Sequence, residues 1–226
     1  MALGERAEGA ARGVNDVMFV KIGTGIGSGI ISQGTLQRGA QGSAGDVGHI
    51  QVVSDTEVIC RCGKTGCLEA VAGGAALSRA ALRVAEQGSP MLAAMLKRRG
   101  TLSARDIAEA ASHGDGASLQ LLRQAGQHIG HMLATAVNLL NPSLIVIGGG
   151  VAGAGDVLMA GIREVVYGRS LPLATRYLQI QQSPLGDRAG VIGAAAMVLD
   201  ELFAPEQVAR WIDGGLPTGR PELASY

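Results

Sequence analysis

Three cysteines fall within eight residues, Cys60, Cys62 and Cys67 in CRCGKTGC, and His49 stands shortly before them in GHIQV. The 226-residue chain has no other cysteine. Thiolate and imidazole are the ligands zinc takes in structural sites, four at a time and tetrahedrally. The glycines at 63 and 66 let the chain curl so that the sulfurs converge. An odd, clustered number of cysteines makes a poor disulfide framework and a better metal or thiol site. The set His49, Cys60, Cys62 and Cys67 therefore predicts a structural zinc ion, the alternative being three incidental cysteines beside a polar histidine. The Cys-x-Cys-x4-Cys spacing is not that of a DNA-binding finger, and the loop offers only Arg61 and Lys64 as cations. A hydrolytic zinc site keeps an open position and uses fewer sulfurs.

Two glycine-rich stretches are the second candidate. GTGIGSG, Gly23–Gly29, follows an apolar run but fits neither G-x-G-x-x-G nor the G-K-[ST] ending of a P-loop. Its exposed N–H groups and the Thr24 hydroxyl suit a phosphate; a plain hairpin turn suits the residues equally. VIGGGV, Val146–Val151, puts Gly148, Gly149 and Gly150 between a strand and a helix, where open α/β sheets bind ligands.

The elements that must position these residues alternate strand and helix, which predicts an α/β fold. DVMFVKI (16–22), GIISQG (29–34), HIQVV (49–53), SLIVIGG (143–149) and RYLQIQQS (176–183) read as strands. Helices are expected over residues 2–12, over 69–87 with a break at Gly73-Gly74, after an N-cap at Ser103, and over 119–140, 156–167 and 187–203. Pro142 stops the long helix, whose Leu122, Ile129, Leu133, Val137 and Leu140 share a face. Asn15-Asp16 reads as turn chemistry. His113, His128 and His131 read as surface or helix-packing residues, and Trp211 as an anchor for the tail. Zero net charge gives no general pull toward nucleic acid or anionic lipid. The start MALGERAEGAARG lacks an apolar signal core, and LIVIGGGVAGAG is too broken by glycine to span a bilayer, so a soluble, cytoplasmic protein without membrane partners is expected.

Taken in order, GTGIGSGI, GAQGSAGDVGHI, CRCGKTGCLEA and NPSLIVIGGGV resemble the ROK family over about residues 1–203. That family comprises sugar kinases and sugar-responsive transcriptional repressors. The resemblance implies an actin-like ATPase (ribonuclease H-like) fold, with the cysteine cluster as the structural zinc site that stiffens a sugar-binding loop. It places the family's sugar contacts at Asp46, His49 and Glu69. Asp46 replaces the usual glutamate with a side chain one methylene shorter. Without the resemblance Asp46 reads as a turn residue and Glu69 as a helix-start charge.

Phosphate contacts are expected at Gly23, Thr24, Gly25, Gly27, Gly148, Gly149 and Gly150. The kinases bind ATP there, whereas the repressors keep some of the same loops, so ATP stays open. The family's catalytic aspartate belongs to an Asn-Asp motif just before a segment like ALGE, and this sequence begins MALGE. The resemblance therefore implies the C-terminal lobe of a two-lobed protein. Residues 1–12 form the junction helix, 13–186 the lobe, 187–203 a helix packing back on the absent lobe, and 204–226 a tail. Apolar faces on 1–12 and 187–203 are expected to lack part of their cover. The function so implied is the sugar-sensing and dimerising lobe of a repressor, with dimer contacts from the helix at 119–140 and DNA reached only through a domain upstream. An ATP-dependent sugar kinase is the alternative. Xylose, glucose and N-acetylated hexosamines all fit the motifs.

Overall fold

A strand buried on both faces must be apolar at every position rather than at alternate ones. LIVIG meets that demand, and VMFVKI meets it at every position but the exposed Lys21; in the computed structural model, which describes residues 1–214, they form the two central strands. β1 (Val17–Ile22) and β4 (Leu144–Gly148) pair in parallel, Val17 opposite Leu144 and Lys21 opposite Gly148. β2 (Ile26–Ser32) folds back antiparallel on β1, β3 (Thr35–Gln37) follows it antiparallel, and β5 (Gln179–Gln182) lies parallel to β4. The five-stranded order is β3-β2-β1-β4-β5.

Side chains alternate between two cores. Met18, Val20, Ile22, Ile145, Ile147 and Ile180 enter the larger one, together with Leu122, Ile129, Leu133 and Val137 of the long helix. Val17, Phe19, Leu144 and Val146 form the smaller core beneath the N-terminal helix, with Ala2, Ala11 and Ile31. Each fully buried Leu, Ile, Val or Phe stabilises the fold by roughly 1.5–3 kcal/mol, so these strands are strongly held in register.

The N-terminal helix, α1, spans Ala2–Glu8, shorter than the expected 2–12. Glu5 explains much of its placement: fully buried, it accepts Ala10 N–H at 2.9 Å through Oε2 and the Ser183 hydroxyl through Oε1. α2 (Leu68–Ala72) and α3 (Gly74–Gln87) meet at Gly73, the expected break. α4 (Pro90–Arg99) and α5 (Ala104–Ser112) follow, and then α6 (Gly116–Leu140), which is capped by Asp115 and ends where Asn141 turns left-handed before Pro142. α7 (Asp156–Arg169) packs along α6 with Gly126 and Gly161 in close contact. α8 (Pro172–Thr175) precedes β5; α9 (Arg188–Leu202) lies on α1, and α10 (Pro205–Gly214) ends the described residues.

Several expectations need correction. Residues 49–53 are not a strand. Val47–His49 is a 3-10 turn, and only Gln51 makes a β-bridge, to Cys67, because the chain here wraps around the cysteine loop. β2 begins at Ile26, so Gly27 lies in a strand rather than a loop, and the strand expected from Gly29 starts three residues earlier. Leu122, Ile129, Leu133 and Val137 of the α6 stripe lie in the chain's own core, while Leu140 of the stripe and the neighbouring Leu139 are exposed. α1 is covered by the sheet and α9, whereas α9 exposes Val191, Met197, Val198 and Leu199. Asp16 accepts Gln33 N–H at 2.9 Å and the Ser32 hydroxyl at 3.2 Å, the turn role expected of it. His113 is exposed, and His128 and His131 are half-buried on α6. Burial lowers the pKa of both, helped for His128 by His131 and for His131 by Arg169. The side chain of Trp211 lies outside the described residues. Among the described residues no helix is long and apolar enough to cross a membrane.

Ser103 is the N-cap of α5, as its sequence predicts. Its N–H and hydroxyl donate to Asp106 Oδ2 at 2.8 and 2.6 Å, and Arg99 pairs with Oδ1. Burial acts to raise the Asp106 pKa, but the Ser103 bonds and Arg99 outweigh it and the net shift is downward. A depressed carboxylate contributes stability above its unfolded pKa and loses it as pH falls through the folded value. Asp106→Ala should therefore cost about 1–2 kcal/mol at neutral pH. In urea melts, that deficit should shrink as the pH falls below about 4.

Candidate functional site

The cysteine loop is built by its own backbone. Gln51 bridges Cys67 and Ile59 bridges Thr65. Val52 N–H reaches Gly66 O at 2.9 Å, and Cys60 N–H reaches Lys64 O at 2.7 Å. The 3-10 turn brings His49 to the mouth of this ribbon. One ligand atom from each of His49, Cys60, Cys62 and Cys67 lies within 4.8 Å of all the others. Cys60 Sγ is 3.4 Å from His49 Nδ1, and Cys62 Sγ is 3.6 Å from Cys67 Sγ. Zinc–sulfur bonds of about 2.3 Å imply tetrahedral edges of roughly 3.5–3.8 Å, so the donor set fits a four-coordinate metal. Cys60 and Cys67 are buried, and Cys62 is exposed. Burial pushes the Cys67 thiol up to about 11, with the neighbouring cysteines adding to it. Cys62 is lowered, chiefly by a hydrogen bond from the Lys64 backbone. Cys62 is thus the readier thiolate, and a bound cation is what would deprotonate Cys67 near neutral pH.

Glu69 lies in the first turn of α2, two residues after Cys67, so the cysteine loop leads directly into the helix that carries the carboxylate. Glu69 Oε2 accepts Ile26 N–H at 3.0 Å, tying α2 to the first residue of β2. The approach depends on two glycines. A Cβ on Gly25 would sit 2.1 Å from Glu69 Oε2, and one on Gly48 would sit 2.2 Å from Ile26 O. Asp46 precedes the 3-10 turn and is exposed, while His49 ends the turn and is half-buried. Asp46 and His49 thus flank one short turn beside the β1–β2 hairpin, and a Cβ on its Gly48 would lie 3.4 Å from Glu69 Cβ. A pair of carboxylates can accept hydrogen bonds from hydroxyl groups, and an imidazole fixed through one nitrogen has a defined direction for the other.

The glycine stretches converge because β1 and β4 run parallel and end together. Gly23, Thr24 and Gly150 line a cleft of about 420 Å3, with Gly74, Ala75, Ser78, Ser103, Ala104, Arg105 and Val151. The other expected phosphate residues stand elsewhere. Gly25 faces Glu69, and Gly27 faces a groove on the opposite side between β2 and α9. Gly148 packs on the Phe19 ring and Gly149 on the Ile22 backbone, so both serve close packing rather than the cleft wall. Sequence reasoning missed the wall from residues 74–78 and 103–105. The break at Gly73-Gly74 and the cap at Ser103 were visible, but nothing local indicated that both ends point into one cleft.

A glucokinase of Halalkalibacterium halodurans is 38% identical over 198 residues, covering 87% of this chain and 60% of that protein. The DNA-binding transcriptional dual regulator NagC of Escherichia coli K12 is 34% identical over 198 residues, covering 88% of this chain and 47% of NagC. A crystal structure of a ROK family transcriptional regulator, a homologue of the E. coli MLC protein, superposes with a TM-score of 0.78 at 32% identity, over 87% of this chain and 48% of that one. The chain thus spans between about half and three fifths of the proteins it matches. The pattern of the ROK family matches residues 1–201, and the chain belongs to that family, with its actin-like ATPase type of fold.

Proposed function

We propose that this chain is the sugar-recognising lobe of a sugar-responsive transcriptional regulator, with a structural zinc ion held by His49, Cys60, Cys62 and Cys67. The observation that carries the reading is the grouping of Asp46, His49 and Glu69 around one turn, with His49 shared between that group and the cysteine cluster. Bound zinc supplies no chemistry here beyond fixing the imidazole and the loop. Asp46 and Glu69 accept hydrogen bonds from sugar hydroxyls, and the second nitrogen of His49 is directed at a third. The wider protein would place a DNA-binding domain and a second lobe around this one, with α9 and its exposed Val191, Val198 and Leu199 as the surface that meets them. Sugar between the lobes would favour one interlobe angle by binding it more tightly than the other, and a homodimer would convert that angle into the spacing of its DNA-binding domains.

A phosphoryl-transferring sugar kinase is the second reading. It is favoured by the cleft between Thr24, Arg105 and Gly150, and by the 38% identity to a glucokinase. ATP turnover by the full-length protein with glucose or N-acetylglucosamine would favour the kinase; sugar-dependent release of DNA without turnover would favour the regulator.

Two variants test the site. Cys67→Ser should drop bound zinc from about one per chain to near zero by elemental analysis, since four-coordinate structural sites are closed. Because protons compete for the thiolates, wild-type zinc should be lost progressively as pH is lowered, and retention in acid would speak against a thiolate site. Glu69→Gln keeps the shape but removes the charge. It should weaken sugar binding about 10- to 100-fold by calorimetry, the range for a lost charge-assisted hydrogen bond. Unchanged affinity for glucose, xylose and N-acetylglucosamine would remove Glu69 from the site.

A further inference from the structure

The Glu69 carboxylate already has occupants. Arg61 Nε lies 2.9 Å from Oε1 and Arg61 Nη2 lies 3.3 Å from Oε2, a forked pair, while Ile26 N–H holds Oε2 from the other side. The two partners differ in kind. Ile26 belongs to the β1–β2 ladder opposite Ile22 and cannot leave without opening the sheet. The Gly25 backbone against Oε2 also stops the carboxylate from retreating. Arg61 is a long side chain, 76% exposed, whereas the Glu69 side chain is 12% exposed. Its backbone is fastened by the Cys60–Lys64 turn, with Cys60 N–H to Lys64 O at 2.7 Å and Gly63 N–H to Cys60 O at 2.9 Å. Rotation of the side chain alone therefore uncovers Glu69.

We propose that Arg61 is a displaceable cover on the Glu69 carboxylate and so a determinant of ligand specificity. The proposal rests on the sugar-site reading above. The two acceptor positions filled by the guanidinium fork are those that two adjacent hydroxyls would use. A ligand with a vicinal diol replaces both bonds, one oxygen each, while Ile26 N–H keeps the carboxylate aimed. A ligand offering a single hydroxyl gives up two charge-assisted bonds for one and does not compete. The cover thus selects polyhydroxylated rings over singly donating alcohols. Because Arg61 is largely exposed, its displacement costs only a few-fold in affinity. The released guanidinium passes into solvent rather than into a buried site.

The test compares full-length wild type, Arg61→Met and Glu69→Gln by calorimetric titration with glucose and N-acetylglucosamine. Arg61→Met removes the charge from an exposed position, and zinc content reports that the loop is intact. Arg61→Met should bind about two- to fivefold more tightly than wild type. A neutral sugar has no charge for salt to screen. Wild-type affinity should therefore rise between about 20 and 300 mM salt as the Arg61–Glu69 pair weakens, while that of Arg61→Met stays flat. If Glu69→Gln destroys binding but Arg61→Met binds as wild type does, or more weakly, the site stands and the cover is overturned. If wild type and Arg61→Met both fail to bind either sugar, the sugar-site reading falls and takes the cover with it.

Discussion

The parallel pairing of β1 with β4 is the constraint on which the rest of the arrangement depends. It places the hairpin after Ile22 and the turn after Gly148 at the same edge of the sheet. Val151 N–H then bonds Ile22 O at 2.9 Å and closes the corner. Apart from the exposed Lys21, both strands are buried on both faces, so a slip of one residue would exchange Met18, Val20 and Ile22 for Val17, Phe19 and Lys21 between two cores of different size. That register leaves little freedom in where Thr24 and Gly150 stand relative to each other, and the cleft between them follows from it.

The second site is tied to the first through the Glu69 carboxylate and through backbone bonds, Gly74 N–H to Gly23 O and Ser28 N–H to Gly45 O, each at 2.8 Å. Glu69 sits on α2, but its bond to Ile26 N–H belongs to the hairpin. The cysteine ribbon runs straight into α2, with Cys67 as its N-cap. A metal that closes the ribbon would therefore also settle the start of α2 and the aim of Glu69. His49 reaches the cluster from the other end, and Gly48 allows the turn beneath it to lie against Ile26 O and Glu69 Cβ. Cluster, turn and hairpin are thus joined to one another by direct contacts.

The ligand set was legible because its residue types are rare in this chain: three cysteines in one short stretch with a histidine just upstream. The central strands and α6 were legible because long apolar runs and a 3.6-residue stripe leave little else for the chain to do. The segment at 49–53 was misread because its β-branched residues are strand formers, while its neighbours in space force a 3-10 turn and a single bridge. The close packing at Gly148 and Gly149 was not legible for a related reason. A glycine that admits a ring or a neighbouring backbone looks the same in sequence as one that admits a phosphate.

The sequence alone determined the family, the α/β alternation and the His49, Cys60, Cys62 and Cys67 cluster that could hold a metal ion. These are carried by residue types and by short-range spacing. Only the tertiary structure decided that residues 74–78 and 103–105 wall the cleft with the hairpin, and that most of the apolar stripe of α6 is consumed internally. Only it showed that Arg61 rests on Glu69. Each of these is a meeting of segments far apart in the chain or of side chains on separate elements. Such meetings are set by how the helices pack on the sheet, which no local pattern encodes.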